Sequence, residues 1–109
     1  MKEDSVYLKH ILEAISRIEE YTKGISKEEF LSKNIIQSAV TREIEIIGEA
    51  SKMLSISFKE TNNEIPWKNI IGMRDKLIHA YFGVDLDAVW KTVKEDLPLL
   101  KKNIGRIKE

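Results

Sequence analysis

Three side chains that could do chemistry, Arg74, His79 and Tyr81, lie within the segment from Pro66 to Gly83. An arginine guanidinium is permanently charged and binds phosphate, and a histidine imidazole can accept or donate a proton near neutral pH. These residue types favour proton transfer beside a bound anion. The spacing alone leaves simpler interpretations open, because His79 also fits a polar residue at a helix end and Tyr81 fits a core aromatic residue with its hydroxyl in solvent.

The same segment predicts one helix over residues 66–83, opened by a proline and closed by a glycine. On that helix Arg74 projects from an apolar stripe, since its neighbours at three and four residues' distance are all isoleucine or leucine. Glu43, on another predicted helix, has equally apolar neighbours. A charge in such a place needs a partner, so we expect an ion pair between Glu43 and Arg74 that supports the fold.

Helical spacing also assigns roles to two neighbours of Arg74. Asp75 and His79 are four residues apart and would share a face, which places Asp75 to orient the imidazole and to favour its protonated form. Tyr81 is seven residues from Arg74 and would return to the Arg74 stripe. If two copies of this helix met across a two-fold axis, one cleft would contain two arginines and two histidines.

The whole chain predicts an all-α fold, with no strand pattern. We expect Gly24 to stop the first helix, Asn34 and Asp85 to cap later ones, and Pro98 to kink the last. Residues 55–66 predict a polar connection. The architecture expected is an up-and-down bundle of four long helices plus one short helix. The predicted helices cover residues 4–23, 26–31 (the short one, starting with a capping box), 34–54, 66–83 and 86–107.

Composition excludes several classes of site. The 109 residues contain no cysteine, which rules out disulfides and thiolate metal sites. No cluster of histidines and carboxylates has metal-ligand spacing, so we expect neither a metal nor a cofactor. Zero net charge argues against coating nucleic acid by bulk electrostatics, and no apolar run is long enough for a membrane span. We therefore expect a cytoplasmic protein with a single helical domain over residues 1–109.

Residues 74–81, Arg-Asp-Lys-Leu-Ile-His-Ala-Tyr, resemble the RxxxxHxY signature of the HepT toxins, within the HEPN superfamily of small helical ribonucleases. Residues 46–50, Ile-Ile-Gly-Glu-Ala, are also similar to that family, as are residues 65–67, Ile-Pro-Trp, and residues 96–98, Asp-Leu-Pro. The resemblance covers nearly the whole chain. The combination is far more specific than the motif by itself.

The resemblance implies a homodimeric, metal-independent endoribonuclease that pairs through the helix carrying Arg74, His79 and Tyr81. It also implies the toxin of a toxin–antitoxin system, silenced when a nucleotidyltransferase antitoxin of the MntA type transfers AMP from ATP onto Tyr81. In such a reaction His79 would take a proton from a ribose 2′-hydroxyl while Arg74 holds the phosphate. A non-catalytic helical adaptor that binds a nucleotide or a nucleotidyltransferase through the same cleft is the alternative interpretation. A purely structural dimerisation domain would leave the charges of Glu43 and Arg74 without a role.

Overall fold

A computed structural model describes residues 2–79 and 83–107 as a bundle of helices, which confirms the predicted all-α fold. The elements are α1 (Lys2–Thr22), α2 (Lys27–Ser32), α3 (Asn34–Met53), α4 (Ile56–Thr61), α5 (Trp67–Ile71), α6 (Met73–Leu77), β1 (Ile78–His79), β2 (Gly83–Val84), α7 (Leu86–Lys91), a π-helical turn (Thr92–Asp96) and α8 (Leu97–Gly105). Within the described ranges, every helix is too short or too polar to cross a bilayer.

The core forms where the apolar faces of α1 and α3 meet, in the most extensive helix–helix contact of the bundle. Both helices contribute fully buried residues at i, i+4 and i+7, the spacing that keeps side chains on one face. They are Ile11, Ile15 and Ile18 on α1 and Val40, Ile44 and Ile47 on α3. Burying each such side chain contributes about 1.5–3 kcal/mol, so this seam fixes the position of α3 and of the polar residues on its other faces.

Three predicted helix signals are confirmed. The Ser26 hydroxyl accepts from the Glu29 N–H at 3.1 Å, and the Ser26 N–H donates to the Glu29 carboxylate at 2.9 Å. This capping box lowers the pKa of Glu29 below its ordinary value, chiefly through the backbone hydrogen bond. Gly24 follows α1 with a φ of 74°, a conformation that glycine adopts without strain. Asp85 caps α7 by accepting from the Ala88 N–H at 3.1 Å.

Two other boundaries differ from the prediction. The N-cap of α3 is Lys33, which makes no side-chain capping bond, so the assignment of Asn34 as the cap is wrong by one residue. Residues 55–66 are not simply a polar connection, because they contain the six-residue helix α4. Asp4 is buried and accepts from both the N–H and the hydroxyl of Ser55 at 2.8 Å. This contact ties the start of α1 to the start of α4.

The predicted single helix over residues 66–83 is wrong. The chain forms two short helices, α5 and α6, separated by Gly72, and it leaves the helical conformation after Leu77. Glycine costs about 1 kcal/mol inside a helix, and β-branched residues favour extended backbone. The Asp85 N–H also donates to the Leu77 carbonyl oxygen at 2.9 Å. In the antiparallel ladder of β1 and β2, Ile78 pairs with Val84 and His79 pairs with Gly83.

The last predicted helix is continuous but not uniform. Helix α7 runs into the π-helical turn, and Pro98 lies in the first turn of α8 immediately after it. Proline has no N–H to donate to the carbonyl four residues earlier. The kink predicted at Pro98 therefore lies next to the π-helical turn, where the helix is locally wider.

Gly48 lets the short helix α5 approach α3 closely. A Cβ atom added to Gly48 would lie 3.3 Å from the carbonyl oxygen of Ile71. Buried Trp67 at the start of α5 donates its Nε1–H to the carbonyl oxygen of Asn62 at 3.1 Å, which fixes the entry to this helix. The position of α5 in turn sets where α6 and its charged residues lie.

Candidate functional site

Arg74 lies on the solvent-facing side of α6. Met73 and Leu77, four residues apart, bury the other side of this helix in the core. The Arg74 Nε donates to Oε2 of Glu45 on α3 at 2.7 Å, and its Nη1 lies 3.4 Å from Oδ1 of Asp75. The Nε contact is short and charge-assisted, so Glu45 sets the orientation of the guanidinium. The longer contact with exposed Asp75 adds little.

The guanidinium of Arg74 is charged, oriented and still able to bind an anion. The Arg74 side chain is 48% exposed and that of Glu45 is 29% exposed. The hydrogen bond that Arg74 donates to Glu45 raises the pKa of Arg74 above its ordinary value, so the group stays protonated throughout the physiological range. Of the five N–H donors of a guanidinium, Glu45 and Asp75 take two, which leaves three without a partner among the described residues.

The predicted ion pair between Glu43 and Arg74 is wrong. Glu43 is buried against α1, where its Oε1 accepts from the Arg17 Nε at 2.9 Å and its Oε2 lies 3.4 Å from the Tyr21 hydroxyl. The hydrogen bond that Arg17 donates to Glu43 raises the pKa of Arg17 above its ordinary value. Glu43 and Glu45 are two residues apart on α3, so their side chains diverge by about 160° around the helix. One therefore reaches α1 and the other reaches α6.

Removing Arg17 is expected to destabilise the fold more than neutralising Glu43. The Arg17 side chain is 43% exposed and can be hydrated when it loses its partner, whereas the Glu43 side chain is 8% exposed. In Arg17→Met the buried carboxylate would keep only the Tyr21 contact, at a cost on the order of 2 kcal/mol. Thermal unfolding followed by circular dichroism compares Arg17→Met with Glu43→Gln. Equal midpoints, or a lower midpoint for Glu43→Gln, would contradict this asymmetry.

The predicted helical contact between Asp75 and His79 no longer follows, because α6 ends at Leu77 and the backbone of His79 belongs to β1. The same ending removes the helical stripe that was expected to bring Tyr81 back to Arg74. The side chain of His79 and the whole of Tyr81 lie outside the part of the structure that is described. Their roles therefore stay predictions.

An open groove of about 360 Å³ adjoins the Arg74–Glu45 pair. Its lining residues are Gln37, Ser38, Thr41, Arg42 and Glu45 from α3 and Leu86 from α7. Sequence reasoning missed Glu45 and Arg42, because polar neighbours on α3 made them look like an ordinary solvated face. The spacing of Arg42 and Glu45, three residues apart on one helix, is the signal that could have drawn attention to them.

The groove beside Arg74 differs from two other grooves in the residues that line it. One further groove lies between α1 and α8 and another between α1 and the π-helical turn, and neither is lined by an arginine or a histidine. Among the described side chains, which do not include that of His79, no three His, Asp or Glu residues are placed to hold a metal ion. We therefore take Arg74, Glu45 and the groove beside them as the candidate site.

Fold and site together define a small all-α protein in which a permanently charged arginine is held by a carboxylate that also lines a groove. A family model described as Ribonuclease HepT-like matches residues 11–107. The chain therefore belongs to the HepT-like ribonuclease family, as the motif resemblance predicted.

Relatives of known sequence agree with this assignment. The chain is 53% identical over 103 residues to a protein of Thermococcus cleftensis described as "probable ribonuclease HepT", and the match covers 94% of each chain. It is 45% identical over 107 residues to a proposed RNase of Caldanaerobacter subterraneus, covering 98% of this chain and 96% of the relative. A Methanocaldococcus jannaschii protein, described as a gamma-glutamylcyclotransferase and proposed RNase, is 52% identical over 108 residues, but the chain spans only 49% of its length. No solved structure matches the chain significantly.

Proposed function

We propose that this protein is an endoribonuclease in which Arg74 and His79 are the catalytic residues. Membership of the HepT-like ribonuclease family supports RNA as the substrate. The observation that carries the proposal is the state of Arg74, whose guanidinium is oriented by Glu45 at 2.7 Å while much of its donor capacity remains available. A group held in this way is suited to a phosphate that gains charge during the reaction.

In the proposed reaction Arg74 binds the scissile phosphate and His79 takes the proton of the adjacent ribose 2′-hydroxyl. The 2′-oxygen forms a bond to phosphorus, and the bond from phosphorus to the 5′-oxygen breaks. A second imidazole gives a proton to the departing 5′-oxygen. The products are a 2′,3′-cyclic phosphate and a 5′-hydroxyl, and the steps use no metal ion. DNA lacks the attacking hydroxyl and is not cut.

The need for two imidazoles supports a homodimer. Each chain supplies one motif histidine, His79, so the base and the acid come from two subunits whose Arg74-to-Tyr81 segments share one cleft. We further propose that the chain acts in the cytoplasm as the toxin of a toxin–antitoxin pair. Its partner is a nucleotidyltransferase antitoxin of the MntA type that transfers AMP from ATP onto Tyr81. The resemblance of residues 74–81 to the HepT signature supports this assignment.

RNA cleavage in the presence of EDTA tests the proposal. Purified wild-type protein and His79→Ala are each incubated with total RNA, and the ends of the fragments are analysed. The wild type is expected to leave 2′,3′-cyclic phosphate ends, and His79→Ala should cut at least about 100-fold more slowly, because it lacks the proton-transferring group.

Two outcomes would contradict the proposal. Equal cutting by both proteins would remove His79 from the mechanism. A wild-type protein that does not cut RNA, although its intact mass shows no AMP on Tyr81, would instead favour the adaptor interpretation.

A further inference from the structure

We propose that the groove beside Arg74 is a binding subsite for the RNA backbone, in which Arg42 contacts the phosphate next to the scissile one. This inference rests on the proposed function, since it names where the substrate continues beyond Arg74. The groove volume, about 360 Å³, falls within the range of small-ligand pockets. The groove is therefore large enough for part of a nucleotide.

Arg42 is available to bind such a phosphate. Its side chain is exposed and forms no ion pair with any described residue. The hydroxyls of Ser38 and Thr41 have no hydrogen-bond partner in the described ranges either, and both residues line the same groove. Gln37 donates from Nε2 to the Phe30 carbonyl oxygen at 2.8 Å, which holds this wall of the groove in place. Guanidinium and hydroxyl groups are the side-chain donors that most often contact phosphate and sugar in nucleic-acid complexes.

Glu45 connects Arg42 with the proposed catalytic residue. Arg42 and Glu45 are three residues apart on α3 and thus neighbours on its surface, and Glu45 holds Arg74 by the 2.7 Å bond. Glu45 is thus the ion-pair partner of Arg74 and the helical neighbour of Arg42. The Arg42 side chain makes no ion pair or hydrogen bond with any described residue, so its five donors are available to an external anion.

The lining chemistry favours RNA over a protein partner. Leu86 is the one apolar residue that lines the groove, and it is only partly buried. The centre of a protein interface usually contains several apolar or aromatic anchors. Asp87, next to Leu86, would repel a phosphate, but Lys27 pairs with it at 3.1 Å. The guanidinium of Arg42 and the hydroxyls of Ser38 and Thr41 are thus the groups at this groove that can bind a phosphate.

Salt-dependent RNA binding by Arg42 variants tests the inference. Binding of a short single-stranded RNA is measured in the His79→Ala background, so that the RNA is not consumed. Arg42→Ala should weaken binding about 10-fold at low salt and reduce the slope of log affinity against log salt by about 0.7, the value for one phosphate contact on a single strand. Arg42→Lys should retain the slope, because it retains the charge. Arg106→Ala, at an exposed position at the end of α8, is the matched control.

The outcomes separate this inference from the proposed function. If Arg42→Ala has the same RNA affinity and the same salt slope as Arg106→Ala, the subsite is wrong. It is also wrong if the protein binds no RNA before Arg42 is changed. If Arg42→Ala changes the molecular mass measured by sedimentation but not the RNA affinity, the subsite is also wrong. The groove would then be a subunit interface. The wild-type protein could fail to cut RNA while Arg42→Ala still lowers the slope of log affinity against log salt. That result would support the subsite and would refute only the proposed cleavage. An unchanged unfolding midpoint for Arg42→Ala shows that the variant is folded.

Discussion

Replacing Arg74 with alanine is expected to lower the rate of RNA cleavage by about 100-fold to 1,000-fold. In the proposed reaction the phosphate oxygens gain negative charge when the 2′-oxygen attacks, and the oriented guanidinium would stabilise that charge more in the transition state than in the bound substrate. The unfolding midpoint should shift by less than about 3 °C, because the Arg74–Glu45 pair is partly exposed to solvent. A large loss of activity without a loss of stability would assign Arg74 to the chemistry.

Arg74→Lys separates the charge of this residue from its geometry. Lysine keeps the positive charge, but one ammonium cannot bind Glu45 and a phosphate through a fixed fork. We therefore expect Arg74→Lys to retain at most about one tenth of the wild-type activity. Values of kcat and KM for a fluorescent RNA oligonucleotide, with Arg106→Ala as the control, provide the measurement. Normal activity of Arg74→Ala would remove Arg74 from the mechanism, and full activity of Arg74→Lys would show that charge alone suffices.

The long helices were predictable because several local signals agree at each of them. The first was predicted over residues 4–23 and is observed as Lys2–Thr22, and the third was predicted over residues 34–54 and is observed as Asn34–Met53. Apolar periodicity defines both, while the glycine at position 24 and the capping box at Ser26 mark where the chain turns. Such signals depend only on near neighbours in sequence, so they can be identified without knowledge of the tertiary fold.

The segment that carries the motif was not predictable in the same way. Its periodicity is helical, and the prediction continued the helix past Gly72 and ended it at Gly83. The ladder that replaces the helix depends on backbone pairing between His79 and Gly83 and on the bond from Asp85 to Leu77. Backbone hydrogen bonds between residues four to eight apart in the chain leave no apolar period in the sequence.

The partner of Arg74 was missed because apolar neighbours were used to find buried charges. That rule identified Glu43 correctly as buried, since it is 6% exposed. It could not identify Glu45, whose neighbours on α3 include Arg42 and Glu49 and which is only partly buried. Which carboxylate meets which arginine depends on how α1 and α6 are placed around α3, and this is a property of the packed fold.

Transfer of one AMP to Tyr81 is expected to abolish RNA cleavage while leaving the unfolding midpoint nearly unchanged. The phenolic oxygen would form a bond to the α-phosphorus of ATP, and pyrophosphate would leave. The resulting phosphodiester places a negative charge and a purine two residues after His79 in the chain. That charge would compete with the RNA backbone for the guanidinium of Arg74. The modification would thus block the site by competing for its anion-binding group.

Tyr81→Phe distinguishes this silencing from inhibition by simple binding of the antitoxin. Phenylalanine has no hydroxyl to accept AMP, so the variant should stay active when an MntA-type nucleotidyltransferase and ATP are present, whereas the wild type should lose activity as its mass increases by one AMP. A modified wild-type protein that still cuts RNA at the full rate would refute the mechanism. Equal silencing of Tyr81→Phe would show that the partner acts by covering the site, since binding of the antitoxin does not require the phenolic oxygen to react.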